Sequence, residues 1–383
     1  MQHASVGARL VLARNDFPAF VGAIRHAGYR LLGPTVRDGA IVYGELERTE
    51  DLPVGWTDHQ EPGKYRLEKR KDEALFGYTV GPQAWKKVLF PSHERLWTAQ
   101  KNGSAFTVAA EPVDPRPVAF LGMRACELAA LSVTDRVFLG QIPDPGYSAR
   151  RQKILRIAVQ CGQAGGTCFC TSMGTGPAVT SGFDLKLTEI LSPGAHRFLL
   201  EVGTEAGAEV VKGVPVTEAP GGDVETAHTI VSRTAASMGR TMDTTGIRDL
   251  LINNPEHPRW EIVAKRCLAC TNCTMVCPTC FCHTTEEVPD LSGEKTERWR
   301  RWDSCFNLGF TALHTGSVRT STKSRYRQWM THKLASWHDQ FGTSGCVGCG
   351  RCITWCPVGI DITEEVAAIR ASPGATKVAE VAR

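Results

Sequence analysis

The sequence predicts an α/β (or α+β) domain at the N-terminal end, followed by a mainly helical, cysteine-rich domain. Continuous apolar runs alternate with helical patterns over residues 116–215, which is typical of a buried, largely parallel sheet. From about residue 246 the apolar residues recur at helical spacing. The chain has 15 cysteines, and eleven of them lie between Cys267 and Cys356.

The predicted organisation has four parts. We expect an α/β domain over 1–220, a linker or helix over 221–245, the helical domain over 246–365 and a flexible tail over 366–383. In the first part, GYRLLGPTVRDGAIVYGEL alternates apolar and polar residues around an Asp-Gly turn, which favours a hairpin. Residues 51–85 look loop-rich.

Two cysteines follow predicted strands directly. VAFLGMRAC and ILRIAVQC each place an apolar strand before a cysteine, Cys126 in the first and Cys161 in the second. Parallel sheets bind ligands at the carboxyl ends of their strands. We therefore expect Cys126 and Cys161 to share one edge of the sheet if their strands are parallel neighbours.

Composition narrows the class of protein. The 383 residues carry a formal net charge of +4 with dispersed basic residues, which does not favour nucleic-acid binding. The N-terminal residues do not read as a secretory signal, and no apolar run reaches the ~18 residues of a membrane span. We expect a cytoplasmic protein without membrane insertion, in which cysteines serve metal or redox chemistry rather than disulfides.

Two matched cysteine runs carry the strongest signal. They are Cys267-x2-Cys270-x2-Cys273-x3-Cys277-Pro and Cys346-x2-Cys349-x2-Cys352-x3-Cys356-Pro. Each has the spacing of a cubane iron–sulfur site, in which three thiolates hold one cluster and the fourth ligates the other. The sequence therefore predicts two [4Fe-4S] clusters, one on Cys267, Cys270, Cys273 and Cys356 and one on Cys346, Cys349, Cys352 and Cys277. Structural zinc, which uses two separated pairs, fits this spacing poorly.

Nearly seventy residues separate the two runs. A helical insertion of this length resembles the α-helical ferredoxin domains in subunits of succinate dehydrogenase and heterodisulfide reductase. Part of it, SVRTSTKSRYRQWMTHKLASWHD, is basic and reads as a solvated helix face, or alternatively as a surface that docks an acidic partner.

Four further thiols form an N-terminal quartet: Cys126, Cys161, Cys168 and Cys170. The glycine-rich loop that contains three of them offers Gly165, Gly166 and Gly174 as positions where backbone approaches a cofactor closely. Four thiols are enough for a third [4Fe-4S] cluster. Zinc, unliganded thiols and an anion nest for a phosphate-bearing cofactor remain alternatives.

Three thiols remain, and we call them the trio: Cys280, Cys282 and Cys305. They would hold a fourth cluster if a further ligand closed the set, and Asp303, His283 and His314 are the nearby candidates. Otherwise they pack beside the clusters as small apolar residues, or one of them is a redox thiol.

Several segments together resemble a known family. They are VAFLGMRACELAAL, GGTCFCTSMGTGP followed by GFDLKLTEI, CLACTNCTMVCPTCFC, RWDSCF and CVGCGRCITWCPVGID. The string is similar to the iron–sulfur β subunit of sulfhydrogenases, the soluble NAD(P)-linked [NiFe]-hydrogenases of group 3b type. It is also similar to the corresponding iron–sulfur subunit of anaerobic sulfite reductase.

The resemblance implies an electron-transfer subunit that is not catalytic alone. Its partners would be the hydrogenase small and large subunits and a flavin/NAD(P) reductase subunit. The chain lacks both nickel-binding Cys-x2-Cys pairs and a Rossmann fingerprint, so neither FAD nor NAD is expected in it. The alternatives are an electron-transfer subunit of anaerobic sulfite reductase or a related sulfur oxidoreductase, and a self-contained flavin- or nucleotide-binding oxidoreductase.

Overall fold

The computed structural model describes residues 5–114, 116–192 and 194–372. Its strands are β1 (Arg9–Ala13), β2 (Arg30–Arg37), β3 (Ala40–Glu45), β4 (Trp56–Glu61), β5 (Lys64–Lys69), β6 (His93–Asn102), β7 (Ala105–Ala110), β8 (Val118–Met123), β9 (Ile154–Val159), β10 (Leu185–Ser192), β11 (Ala195–Val202), β12 (Thr217–Glu218), β13 (His283–Pro289), β14 (Lys295–Trp302), β15 (Ala312–Leu313) and β16 (Gly316–Ser317).

The helices are distributed along the whole chain and are shortest around the cysteine runs. They are α1 (Phe17–His26), α2 (Lys86–Leu89), α3 (Ala125–Phe138), α4 (Pro145–Arg151), α5 (Glu205–Val211), α6 (Gly221–Ala236), α7 (Ile247–Ile252), α8 (Arg259–Arg266), α9 (Asn272–Met275), α10 (Thr322–Thr331), α11 (Trp337–Phe341), α12 (Arg351–Thr354) and α13 (Ile362–Ala371). A π-helical turn, His332–Ser336, joins α10 to α11. Within the described ranges, no helix is long and apolar enough to cross a membrane.

An eight-stranded sheet forms the N-terminal half, in the order β12-β1-β11-β10-β9-β8-β2-β3. Its centre is parallel: β2 pairs with β8, β8 with β9 and β9 with β10, and the remaining pairs are antiparallel. The parallel α/β centre predicted from the apolar runs is therefore confirmed. Its two strands β8 and β9 are neighbours, and Cys126 and Cys161 follow their carboxyl ends at one edge.

The predicted hairpin is present as β2 and β3, paired from Leu32 with Glu45 to Arg37 with Ala40. The turn residues Asp38 and Gly39 have φ of 52° and 72°. Positive φ at both central residues is what a tight hairpin turn requires, and Asp-Gly supplies it at low cost.

The loop-rich interpretation of residues 51–85 is wrong in part, because β4 and β5 form a second hairpin there. The alternation is weak in sequence, and tertiary contact fixes the hairpin tip. Gly63 at the turn has φ of 73°, and its N–H donates to the Ile353 carbonyl at 3.1 Å. The tip of this hairpin therefore contacts the second cysteine run.

The insertion between the cysteine runs is less helical than predicted. It begins as the hairpin β13–β14, which adds to β6 and β7 in a four-stranded sheet of order β13-β14-β6-β7. Thr, Val and Trp favour strands in this segment, and cross-strand ion pairs hold it: Arg301 with Glu286 at 2.7 Å and Arg95 with Glu297 at 2.9 Å. Only α10, the π turn and α11 supply the expected helix.

The predicted boundaries shift accordingly. Residues 221–245 contain α6, which is tied to the large sheet by an Arg197–Asp223 ion pair of 2.6 Å. The tail predicted from residue 366 begins too early, because α13 continues to Ala371 and buries Val366 and Ile369. Residues 373–383 lie outside the described part of the chain.

Two main cores result. One lies on the large sheet around Leu12, Phe20 and Ile157. The other lies among the C-terminal helices, where Trp260, Met330 and six partly buried cysteines share one hydrophobic cluster. A fully buried Arg351 in the second cysteine run connects the two halves by pairing with Glu127 of α3 at 2.5 Å.

Candidate iron–sulfur centres

The two cysteine runs have the same backbone conformation. Residues before and after the second cysteine have positive φ in both: Ala269 (51°) and Thr271 (70°), then Gly348 (63°) and Gly350 (75°). The first cysteine of each run also accepts a backbone N–H, from Ala269 and from Gly348, with N to Sγ distances of 3.4 Å. The sequence repeat is therefore a structural repeat.

The left-handed alanine and threonine carry a cost. A non-glycine residue in this region costs of order 1–3 kcal/mol, and such strain clusters at functional sites. The strain bends the chain so that three thiols face one side. The glycines of the second run avoid this strain.

The first thiol group comprises Cys267, Cys270, Cys273 and Cys356. All four line one cleft, together with Cys352 and the aromatic rings of Phe306, Tyr326 and Trp329. Burial raises the pKa of Cys273 well above its ordinary value, and the Cys267 and Cys356 thiols raise it further. The structure thus brings Cys356 to the run that lies nearly ninety residues before it.

The second thiol group comprises Cys346, Cys349, Cys352 and Cys277. Burial raises the pKa of Cys352, and the neighbouring thiols of Cys346, Cys349 and Cys277 raise it further. Cys277 differs from the others in this group. A hydrogen bond with Cys280 holds the pKa of Cys277 well below its ordinary range, burial opposes this, and the ammonium of Lys333 adds to the lowering.

The quartet is also brought together. Burial raises the pKa of Cys168, and the Cys170 and Cys161 thiols raise it further. Cys126 and Cys170 lie in one buried cluster with Cys349. Cys126 and the three thiols of the glycine-rich loop therefore meet at the carboxyl edge of β8 and β9, next to the second thiol group.

The glycine-rich loop is filled mainly by protein. A Cβ on Gly165 would lie 3.2 Å from the Cys168 sulfur and 3.0 Å from Thr79 Oγ1, and a Cβ on Gly166 would collide with the Gln60 carbonyl. Gly174, at φ of 66°, faces open space. The close approach at Gly165 is toward a thiol, as expected beside a cluster. Gly176, which the sequence did not single out, would place a Cβ 3.1 Å from the Cys170 sulfur.

The trio lies beside Cys277. Cys280 hydrogen-bonds with Cys277, Cys282 hydrogen-bonds with Cys305, and the Cys273 thiol adds to the raised pKa of Cys305. The trio therefore adjoins both C-terminal thiol groups.

The predicted fourth ligands do not converge on the trio. The Asp303 carboxylate accepts from Ser304 N at 2.7 Å and Asn307 Nδ2 at 3.0 Å, and His283 Nδ1 lies 3.1 Å from the Phe281 carbonyl. His314 is exposed.

Both TCFC segments anchor the second run. The first donates from Phe169 N to the Gly348 carbonyl at 2.8 Å, and its Thr167 hydroxyl lies 2.7 Å from that of Thr354. In the second, the fully buried Thr279 hydroxyl donates to the Gly345 carbonyl at 2.5 Å. The two copies of the tetrapeptide therefore hold the second run in place by hydrogen bonds from two sides. We call this set of hydrogen bonds the clamp.

Two lysines flank this region, of which Lys333 is buried and Lys86 is half-buried. Lys333 Nζ donates to Cys277 Sγ at 3.2 Å. Lys86 Nζ donates to the Cys280 carbonyl at 2.9 Å and lies 3.9 Å from the Trp302 ring centre. Neither lysine was predicted to lie beside the thiols. Lys333 belongs to the basic segment that was interpreted as a solvated helix face or as a surface that docks an acidic partner. A hydrophobic pattern with a period of 3.6 residues would not predict that Lys333 is buried, because the π turn rotates its side chain inward.

The donor sets fit [4Fe-4S] clusters. Such clusters require thiolates, while burial here favours the neutral thiol at most positions. Bound iron would supply the positive charge that these sites lack, and backbone N–H groups aim at sulfur at Cys267, Cys346 and Cys356, as outer-shell donors to clusters do. Across the described ranges, no three His, Cys, Asp or Glu side chains converge on a single-ion site.

These sites define an iron–sulfur protein. Residues 266–360 match the 4Fe-4S dicluster domain, which contains both cysteine runs and the hairpin between them. Over its length the chain is similar to sulfhydrogenase 2 subunit beta of Pyrococcus furiosus, with 28% identity across 353 residues, 90% of this chain and 93% of the relative. The resemblance read from the cysteine segments is thereby confirmed.

Proposed function

We propose that this chain is a non-catalytic electron-transfer subunit that relays electrons between a flavin/NAD(P) subunit and the hydrogenase subunits of a [NiFe]-hydrogenase complex. The observation that carries the proposal is the series of neighbouring thiol groups, most of them buried or half-buried, that runs through both halves of the chain. The similarity to a sulfhydrogenase β subunit over nearly the whole length supports the choice of complex.

The two clusters of the dicluster domain would have exchanged ligands. Cys267, Cys270, Cys273 and Cys356 would hold one, and Cys346, Cys349, Cys352 and Cys277 the other. The shared cleft of the first group and the proximity of Cys277 to the second support this assignment. Iron–sulfur ligation supplies one-electron chemistry at each group.

The quartet would hold a third cluster, on Cys126, Cys161, Cys168 and Cys170. Its support is the meeting of four thiols at the edge of the sheet, two of them buried and two half-buried, and the narrow space that Gly165 and Gly176 leave next to the sulfurs. Because the Cys349 thiol adds to the raised pKa of Cys126, the quartet and the second group are near neighbours. The clusters would therefore be arranged in the order quartet, second group and first group, and electrons would pass along that series.

The trio, Cys280, Cys282 and Cys305, is a candidate fourth site. Its support is the pair of nearby lysines: Lys333 Nζ donates to Cys277 Sγ, and Lys86 Nζ donates to the Cys280 carbonyl. The candidates Asp303, His283 and His314 do not close the set as ligands. A metal count therefore separates a fourth cluster from thiols that only pack beside the others.

The relay has two ends at the surface. Cys270 of the first group is exposed, beside Leu268 with 64% of its surface accessible. At the other end, Cys161 is partly exposed, and its neighbours Gly162 and Gln163 line a groove. Two separate exits suit a subunit that contacts two different partners.

The same relay would serve an anaerobic sulfite reductase or related sulfur enzyme, and the catalytic subunit that purifies with the chain distinguishes the two. A self-contained flavin- or nucleotide-binding enzyme would need an open glycine loop. The Gln60 carbonyl fills that loop at Gly166, so no observation favours this alternative.

The test is Cys349→Ala in the purified complex. Coupled turnover between NAD(P) and the catalytic subunit should fall to background, while each partner keeps its isolated activity with artificial electron carriers. Ser292→Ala, on the exposed β13–β14 turn, is the matched control and should leave coupled turnover unchanged. Full coupled turnover in Cys349→Ala would overturn the proposal.

A further inference from the structure

Lys333 is buried inside the protein next to a thiol of the second group. Its side chain lies on the π turn between α10 and α11, and the residue is 5% exposed. The Nζ atom donates to Cys277 Sγ at 3.2 Å, to the Gly345 carbonyl at 3.2 Å and to Thr279 Oγ1 at 3.3 Å. All three of its donors are therefore directed at the second group and its clamp.

No carboxylate balances this ammonium. Within the described ranges, no Asp or Glu oxygen forms an ion pair with Lys333, whereas the equally buried Arg351 pairs with Glu127. Burying an unpaired ammonium costs several kcal/mol, so an anion must compensate it.

No lysine or arginine of the described ranges forms a comparable set of hydrogen bonds at the first thiol group. A cation near Cys267 is Arg325. Its guanidinium donates to the Thr320 carbonyl at 3.2 Å rather than to a sulfur. The two groups have matching backbones but different electrostatic surroundings.

We propose that Lys333 raises the reduction potential of the cluster at the second thiol group, so that this cluster is where an electron rests between the partners. The inference builds on the proposed function. Reduction adds one negative charge to a cluster, and a cation bonded to a ligand sulfur stabilises that added charge in a low-dielectric interior. Lys333 acts on the cluster through Cys277 and is a positioning residue, not a catalytic one.

The experiment compares Lys333→Gln and Lys333→Arg in the anaerobically purified complex. Iron is quantified first, and the midpoint of each cluster is then read from a redox titration followed by electron paramagnetic resonance. With glutamine, one midpoint should move to a more negative potential while the others stay in place. With arginine, it should remain close to the wild type. Lys323→Gln, on the exposed side of α10, should change nothing.

The outcomes are separable from those of the proposed function. A fully loaded Lys333→Gln complex with unchanged midpoints overturns the role of Lys333 and leaves the relay intact. A wild-type complex without reducible clusters overturns the relay itself. If the glutamine variant loses iron, the arginine variant decides: an unchanged midpoint supports the charge effect, and a strongly negative midpoint despite the retained charge contradicts it.

Discussion

Gly348 packs directly against the backbone of the first TCFC segment, and its substitution by alanine tests the clamp on the second run. A Cβ at this position would lie 2.6 Å from the Phe169 carbonyl oxygen and 2.7 Å from Cys170 N. Both atoms belong to backbone, so neither can move alone. The matched residue of the first run is already alanine, because the first TCFC segment does not pack against Ala269 in this way.

The cost has two parts. Alanine at φ of 63° costs roughly 1–2 kcal/mol. Displacement of Phe169 would also break its 2.8 Å hydrogen bond to the Gly348 carbonyl, worth about 0.5–1.5 kcal/mol. Together these give roughly 1.5–3.5 kcal/mol, before any cost of repacking, which favours opening of the clamp by a factor of about 10 to 300.

The assay is anaerobic iron release to a chelator. When opening is fast relative to iron capture, the release rate follows the population of the open form. Gly348→Ala should therefore release iron from the quartet and the second group roughly 10 to 300 times faster, with iron of the first group unaffected. Gly309→Ala, where a Cβ would find no atom closer than 3.9 Å, is the control. Release of Gly348→Ala iron at the wild-type rate would refute the clamp.

Two further predictions concern the joints of the fold. Arg351→Met leaves the buried Glu127 carboxylate without its cation. It should therefore lower the free energy of unfolding, measured by denaturant titration, by about 3–5 kcal/mol. Arg298→Met, on the exposed hairpin, is the control and should lower it by less than about 1 kcal/mol. The hydrogen-bonded Arg197 guanidinium lowers the pKa of Asp223, so this ion pair stabilises the fold at neutral pH and that stability is lost as pH falls below the ordinary aspartate range. Asp223→Asn should remove this part of the acid sensitivity, and an unchanged acid profile would show that the pair does not hold α6 to the sheet.

Spacing alone predicted how the thiols group. The x2 and x3 spacings, with proline after the fourth cysteine, place Cys356 with the first run and Cys277 with the second, and the structure brings these residues together in that way. Ligation itself stays a prediction. The parallel strands before Cys126 and Cys161 likewise predicted that the two thiols share an edge.

The remaining features depend on contacts between distant segments. Nothing local in β14 shows that it pairs with β6, about two hundred residues earlier. The burial of Lys333 depends on a single π turn, which a helical pattern does not reveal. Gly348 could have been suspected from sequence, because it replaces the alanine of an otherwise matched run, but its reason is the Phe169 backbone.

The most direct measurement is anaerobic quantification of iron and acid-labile sulfide in the purified chain, made alongside its Cys161→Ala variant. A relay that continues from the dicluster domain into the sheet predicts about twelve of each per chain, or about sixteen if the trio also holds a cluster, and a loss of about four of each in the variant. About eight of each in both proteins would mean that the quartet holds no cluster. That result would contradict a relay of clusters that extends through both halves of the chain.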